Sequence, residues 1–507
     1  MIDNFNHLYN FYAHEKLKHK QLILACLTAK QIKDKYQAIP EGYFEDKMED
    51  AEVSLNAAVW VIAKRSDCEE EAEKQLKNVT LTHKNVLFSI GMPDLHPGRG
   101  YPIGSSIITS EIVYPPLIGT DIGCGMSFVK TSIPITKAKG KTIDKWVRNL
   151  RWIDSDLQWD HEELANFTLK WATEDNVPVL KDHGKEFFNQ LGTIGAGNHF
   201  WELQAFDEIL DQEEFDQANF DPDKAYILVH SGSRGYGKNV LDNFVTEYQK
   251  KGIKGFVQGT PEYEAYLEKH DDACNYARRN RALIAYRFIK ELLGTNIEDI
   301  NLSDQEPTAN SEEEKLDITE DFKILDDWEC MIDIWHNYFE EVESYLPNPE
   351  EVKAFKFSDK NFSEFTCEVY KQKAIIHRKG ATPSTKGYVV IPGSRGSYSY
   401  LVKPLEENGW ISGYSLAHGA GRKMSRSKAY ATVKHHHKNL NNLLVTKMDS
   451  RVVWENKDLL FEEAPEAYKK IEDIVHDLAS FNLIKIVAVL KPVLTYKFKQ
   501  NEKKNDK

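Results

Sequence analysis

The residues that could carry chemistry in this chain gather around one stretch, Gly119-Thr120-Asp121-Ile122-Gly123-Cys124-Gly125. Asp121 and Cys124 stand three residues apart in a loop with three glycines. Such a loop can fold tightly around something small, because glycine takes backbone angles that other residues avoid. A carboxylate and a thiol both ligate metals once deprotonated. Taken alone, the pair also describes a buried cysteine beside a turn aspartate. Four histidines follow, His199, His230, His336 and His418, each in a short segment rich in glycine or asparagine. Three imidazoles, one carboxylate and one thiolate suffice for one or two metal ions, and a fourth imidazole is then free for chemistry. The donor set leaves the metal open. Thiolate with imidazole suits zinc, whereas carboxylate and phosphate oxygens suit manganese or magnesium.

His418 lies between Ala417 and Gly419, with Gly421 and Arg422 just beyond. A neutral imidazole can attack an α-phosphate and hold it as a phosphoramidate, which divides one hard step into two. A lone histidine in a glycine turn is also an ordinary hydrogen-bonded turn residue. Glycine-rich turns at 192–197, 231–235, 393–396 and 419–421 offer backbone N–H groups to anions. Arg378, Lys379, Arg395, Arg422 and Arg426 could line a groove for a nucleic-acid backbone, or form a solvated surface. Glu202 could accept two hydrogen bonds from a guanine edge; its plainer reading is a surface strand carboxylate. The histidines of KHHHK (434–438) read as an exposed helix face.

These residues need elements to hold them. With 507 residues, 41% hydrophobic and 11% aromatic, the chain can build a large core or several domains. A net charge of −14 argues against binding nucleic acid by bulk charge, though not against a local basic groove. Six scattered cysteines, none in a CxxC pair, argue against a disulfide framework. No apolar run reaches membrane-spanning length, and the start of the chain lacks a signal-like apolar block. The reading is a soluble, cytoplasmic protein. Residues 1–58 read as mainly helical, and 69–77 as a charged helix. From 86 the texture turns to short apolar runs broken by Gly and Pro, with Asp94 and His96 in the first loop. Trp146 to Trp171 reads as helical. Along 198–202, His199 and Trp201 should share one face of a strand, with Asn198, Phe200 and Glu202 on the other. Residues 207–223 read as an acidic surface excursion, and 225–237 as a buried strand ending at His230. Residues 262–295 read as a long helix carrying Arg278, Arg279 and Arg281. Residues 296–321 hold ten Asp or Glu and read as an exposed insert. Trp335-His336-Asn337 is placed on or beside a helix, 374–384 and 388–402 are strand–turn units, and a closing strand covers 483–497.

Together the motifs resemble the RtcB family of GTP-dependent RNA-splicing ligases. The resemblance runs through MPDLHPG (92–98), GTDIGCGM (119–126), LGTIGAGNHFWE (191–202), HSGSRG (230–235), ARRNRALI (277–284), WHN (335–337), HRKGAT (377–382), IPGSRGSYSY (391–400), HGAGRKMSR (418–426) and EEAPEAYKKIEDIV (462–475), in one order. It implies an α+β fold, one large domain over 59–497 with central β-sheets flanked by helices. An N-terminal extension of unknown role (1–58) precedes it and a polar tail (498–507) follows. It implies ligation of an RNA 3′-phosphate or 2′,3′-cyclic phosphate to a 5′-hydroxyl, in transfer-RNA splicing or RNA repair, with GTP as co-substrate and two Mn2+ ions. By matching position, Asp121, Cys124 and His199 would hold one ion, and Cys124, His230 and His336 the other. His418 would carry GMP. The guanylate pocket would draw on Asn198, His199, Phe200, Trp201, Glu202, His336, Asn337, Pro392, Gly393, Ser394, Arg395, Ser399, His418, Gly419, Ala420, Gly421 and Lys497, with Tyr468 flanking it. Implied partners are RNA and GTP, with a possible activating protein; the family acts mostly as monomers. Arg395 stands where the family commonly has Met, and the acidic insert is longer than expected. Two other functions keep the same residues in use: an RNA-end-binding repair adaptor without ligation, and a metal-dependent cyclic phosphodiesterase.

Overall fold

The computed structural model describes residues 22–24, 57–151, 153–154, 187, 190–293, 328–349, 352, 368–437 and 443–498. Two sheets carry the architecture. The six-stranded sheet runs, in spatial order, Leu22–Leu24, Ala58–Val61, Val86–His96, Ile103–Thr109, Val369–Lys379, Asn337–Pro347. The larger sheet runs Trp328–Trp335, Gly125–Pro134, Lys224–Ser231, Phe200–Ile209, Ile484–Lys497, Ser399–Pro404, Val389–Ile391, with Arg451–Trp454 laid parallel to Ile484–Lys497. The α+β class and the helix-flanked sheets are thus as expected.

The centre of the larger sheet is covered on both faces, which explains its sequence. In Lys224–Ser231, Tyr226 and Leu228 face one core, while Ala225, Ile227 and Val229 face another. A strand buried on both sides reads as an unbroken apolar run. The first core joins the two sheets, with Trp60, Phe88, Ile90 and Ile376 packed among Phe128, Phe200, Tyr226 and Leu228. The helix Ile471–Ser480 adds Ile474, Val475 and Leu478 to it. On the far face, the 33-residue helix Pro261–Leu293 contributes Ile284, Ala285, Phe288 and Ile289.

Several expectations change. Within 1–58, Leu22–Leu24 is a strand paired to Ala58–Val61 rather than part of a helix. Asp94 and His96 are not in a loop but close the irregular end of the strand Val86–His96. Trp335-His336-Asn337 is the junction of two strands, not a helical segment. Trp335 pairs with Gly125, and Asn337 opens the hairpin to Val369–Lys379. Ile332 and Ile334 face the first core at the period of two that marks this strand, while a register shift after Cys330 turns that residue to the other core. The helix around Trp146 spans Lys141–Asn149 and ends at once; most of its expected continuation lies outside the described residues. The 207–223 stretch is only partly a surface excursion, because Phe215 and Phe220 are buried in the core. The insert at 296–321 and residues 499–507 lie outside the described residues, while Phe498 is buried. Among the described residues no helix is long and apolar enough to cross a membrane, and Cys68, Cys124, Cys274 and Cys330 are free thiols.

One buried carboxylate ties the first sheet's leading edge to the helix beneath it. Asp477 accepts backbone N–H bonds from Lys64, Arg65 and Ser66 at 2.9, 2.9 and 2.8 Å. Asp477→Ala leaves three donors without their acceptor and should cost about 3 kcal/mol in urea unfolding. Asp477→Asn, which keeps one acceptor oxygen, should lose less.

Candidate active site

The metal-type donors converge because backbone ladders join the loops that carry them. The His336 N–H donates to the Cys124 carbonyl at 2.7 Å, and the Gly123 N–H donates to the Asn337 carbonyl at 2.8 Å. Met126 pairs with His230, and His230 with Phe200, across three neighbouring strands. The result places Cys124 Sγ 3.3 Å from Nε2 of both His199 and His230. These three donor atoms all lie within 4.8 Å of one another. Asp121 Oδ2 adds to one side, 2.7 Å from His199 Nε2, and His336 to the other, Nε2 to Nε2 with His230 at 3.3 Å.

The chemistry of this set fits divalent cations. The Ile194 carbonyl lies 3.0 Å from His199 Nδ1 and can only accept, so Nδ1 carries the proton and Nε2 presents its lone pair. Burial, then the Asp121 carboxylate, pushes the Cys124 thiol well up. Burial and neighbouring imidazoles push His230 and His336 well down. A cation favours the thiolate and binds neutral imidazole, so it turns the first cost into a ligand and uses the second as it stands. The sharing of Cys124 between an Asp121/His199 side and a His230/His336 side suits two ions.

The scaffold of this cluster comes from the helix Pro261–Leu293. Arg281, fully buried, donates from Nη1 to the carbonyls of Gly123 (2.8 Å) and Ser231 (3.1 Å), and pairs with Asp333. Asn280 Nδ2 holds the carbonyls of Thr193 and Gly232, both at 3.1 Å. At Gly232 a Cβ would fall 2.1 Å from Asp121 Oδ1, so only glycine leaves room for that carboxylate.

Beside the cluster opens a cleft lined by Asn198, Phe200, Glu202, Pro392, Gly393, Ser394, Arg395, His418, Gly419, Ala420, Gly421 and Lys497, all expected of the pocket, with Tyr468 at its flank and Arg422 and Arg426 from the expected basic groove. The His418 ring centroid is 4.9 Å from that of His336 and 6.5 Å from that of His230. Its Nδ1 lies 2.7 Å from Oδ2 of Asp94, a residue singled out in the sequence without a role. Gly421 N-terminal to Arg422 crowds the Asp94 backbone so closely that a Cβ would sit 2.3 Å from its carbonyl oxygen.

Glu202 is the most altered carboxyl in the cleft. Burial pushes it up to about 7 against the pull of Thr495, Lys497 and Gln204. Gln204 Nε2 donates to it at 2.5 Å, and Thr495 Oγ1 also donates to it. It is therefore no surface carboxylate.

Other expected residues stand elsewhere. The strand begins at Phe200, so strict alternation starts there: Phe200 and Glu202 face the cleft, and Trp201 is turned into the opposite core, stacked on Phe288 at 4.5 Å. Asn337 clips two loops, donating to the Asp121 carbonyl at 3.1 Å and accepting from the Gly380 N–H at 2.7 Å. Ser399 stands behind Gln204. Arg378 is no groove residue but a buried partner of Glu340 at 2.6 Å, and Lys379 is half-buried, its ammonium 3.4 Å from the Pro116 carbonyl, with loss of solvent around it lowering it to about 8. His435 and His436 are exposed, as expected. Glu463, which binds three cations of the cleft wall, carried no sequence signal beyond its place in the EEAP run.

A buried group of metal-type donors, Cys124, His199 and His230, beside a cleft whose wall holds a histidine next to a carboxylate fits a metal-dependent, phosphate-handling enzyme. The family model described as tRNA-splicing ligase RtcB matches residues 75–170, 148–306 and 324–498, and the chain belongs to the RtcB family of RNA ligases. It is 35% identical over 443 residues to the Escherichia coli protein named RNA-splicing ligase RtcB2, covering 87% of this chain and 96% of that one. It is 28% identical to tRNA-splicing ligase RtcB of Nanoarchaeum equitans (83% and 91% covered) and 25% identical to that of Methanococcus maripaludis (92% and 98%).

Two measurements check this geometry. Gly232→Ala should displace Asp121 and weaken divalent-cation binding tenfold or more in calorimetric titration. Glu202 has a folded-state pKa raised from 4.5 to about 7, so its contribution to stability is full below pH 4.5 and is lost as pH rises through 7. By pH 8 the wild type should have lost about 3 kcal/mol relative to Glu202→Gln, compared with the same pair at pH 4, in denaturant unfolding.

Proposed function

We propose that this protein joins an RNA 3′-phosphate or 2′,3′-cyclic phosphate end to a 5′-hydroxyl end, using GTP and Mn2+, through a GMP-histidine at His418. The observation that carries the reading is the position of His418, its Nδ1 beside Asp94 and its ring against His336 at the edge of the donor cluster. A carboxylate at Nδ1 orients the ring, stabilises the positive charge that develops on it, and leaves Nε2 as the nucleophilic nitrogen.

The residues divide the work. Glu202, when ionised, accepts from N1–H and the 2-amino group of guanine, which adenine cannot supply in that pattern. Phe200 and Tyr468 offer ring faces to the base. Arg422, Arg426 and Lys497 attract the polyphosphate. Nε2 of His418 attacks the α-phosphorus, the α–β bridging bond breaks, and pyrophosphate leaves with the electron pair. GMP then passes to an oxygen of the RNA 3′-phosphate, which frees His418. The 5′-hydroxyl attacks that activated phosphate, loses its proton, and releases GMP. A cyclic phosphate is first opened by water to the 3′-phosphate. Two divalent ions, held by Asp121, Cys124 and His199 and by Cys124, His230 and His336, would supply charge neutralisation at the triphosphate and a water of lowered pKa. RNA is the substrate class, in transfer-RNA splicing or repair of broken RNA.

Labelled GTP with Mn2+ should leave a covalent guanylate on the wild type and none on His418→Ala. No label on the wild type, or one that survives the substitution, would overturn the reading. RNA binding without label would point to an end-binding adaptor, and opening of cyclic phosphate without GTP to a phosphodiesterase. KM for GTP should fall as pH rises through 7, where Glu202 ionises, and Glu202→Gln should raise KM and flatten that profile.

A further inference from the structure

One wall of the cleft is organised by a residue that stands behind it. Arg422, Arg426, Tyr468 and Lys497 all line the cleft. Glu463 backs them, with a side chain 0% exposed. Its Oε1 lies 3.0 Å from Arg422 Nη1 and 3.4 Å from Arg426 Nε, and its Oε2 lies 3.4 Å from Lys497 Nζ. The Tyr468 hydroxyl also donates to Oε2. Burial alone would raise this carboxyl, but Lys497 and Arg422 hold it below the ordinary range, so it is ionised at neutral pH.

The same segment laces the His418 turn to the rest of the wall. Arg422 Nη2 donates to the Glu462 carbonyl at 2.9 Å, the Lys469 N–H donates to the Gly421 carbonyl at 3.0 Å, and Arg422 bridges Tyr468. Lys469 Nζ donates to the carbonyls of Pro93 (3.0 Å) and Leu95 (2.6 Å), the neighbours of Asp94. Three cations around one carboxylate leave the wall positive, with Arg422 and Lys497 enclosed on it and Arg426 half exposed at its rim.

We propose that Glu463 is a positioning residue, which fixes Arg422, Arg426 and Lys497 so that a polyphosphate is held in line with His418. The inference rests on the guanylylation reading above. Its physical signature is a split between binding and rate. Glu463→Gln removes one negative charge from beside three cations, so the wall attracts a polyanion at least as strongly as before. What is lost is alignment, and misplacement by about 1 Å costs up to about 100-fold in rate.

The experiment compares wild type, Glu463→Gln and Glu463→Asp in Mn2+-dependent labelling of His418 by GTP, with Mn2+ affinity measured alongside. The glutamine variant should lose tenfold or more in kcat with KM for GTP equal or lower, and Mn2+ affinity within twofold. The aspartate variant, which keeps the charge one methylene shorter, should recover part of kcat, and it reads the same quantities if the glutamine variant does not fold. A raised KM with unchanged kcat, no change in either, or a loss of rate that tracks lost Mn2+ binding would each overturn the proposal. Crystal structures of the variants give a second readout independent of ligation. Arg422, Arg426 and Lys497 should be displaced in Glu463→Gln, and wild-type placement would overturn the proposal. An unlabelled wild type would sink the ligase reading alone; the positioning role then stands or falls on that displacement.

Discussion

The whole site hangs on a buried guanidinium. Arg281 lies on the long helix outside the larger sheet, with Nε and Nη2 against Asp333 and Nη1 on the carbonyls of Gly123 and Ser231. Those carbonyls flank Cys124 and His230, the two ligand positions at the centre of the donor cluster. A charge so deep is tolerated only when every donor is matched, because an unpaired one costs several kcal/mol. Arg281 therefore allows the two loops few positions other than the observed one. Helix, sheet edge and ligand loops are locked together by one side chain that touches no donor atom itself.

A second layer of constraint is steric. Gly232 makes room for the Asp121 carboxylate, and Gly421 makes room for the backbone that carries Asp94. Donor cluster and His418 are thus approached through absent side chains, while the cations opposite gather on a present one, Glu463. The division suits the chemistry of the RtcB family. Ligands must be buried and preset, whereas the groups facing a polyanion must carry charge yet not collapse onto each other.

Burial also gives the cleft its selectivity of protonation. Glu202 and Glu463 are both fully enclosed carboxyls a short way apart along the same wall, but only Glu463 has three cations on it. Glu202 has neutral donors and a more distant Lys497, so burial prevails and it titrates near neutrality. Neither the number of acidic residues nor their spacing in the chain distinguishes these two; their neighbours do.

By itself the sequence determined the donor types, the His418 turn and the strand–turn character of most motif-bearing segments, because these depend on side-chain chemistry and on glycine placed at fixed short spacing. It also determined the family, since ten motifs in one order are hard to match otherwise. Where it misled, the reason was tertiary. Trp335-His336-Asn337 is a strand junction because Gly125 admits the neighbouring backbone, and Arg378 is buried and Lys379 half-buried because the strand that carries them lies inside the six-stranded sheet rather than along a groove. Trp201 left the pocket because alternation along the strand turns it away from the face of Phe200 and Glu202 and into the opposite core. Only the fold could decide that Asp94, 324 positions from His418 in the chain, lies 2.7 Å from its ring, or that Glu463 gathers Arg422, Arg426 and Lys497. Contacts of that range leave no periodicity to read, because what brings them together is the crossing of strands from different parts of the chain.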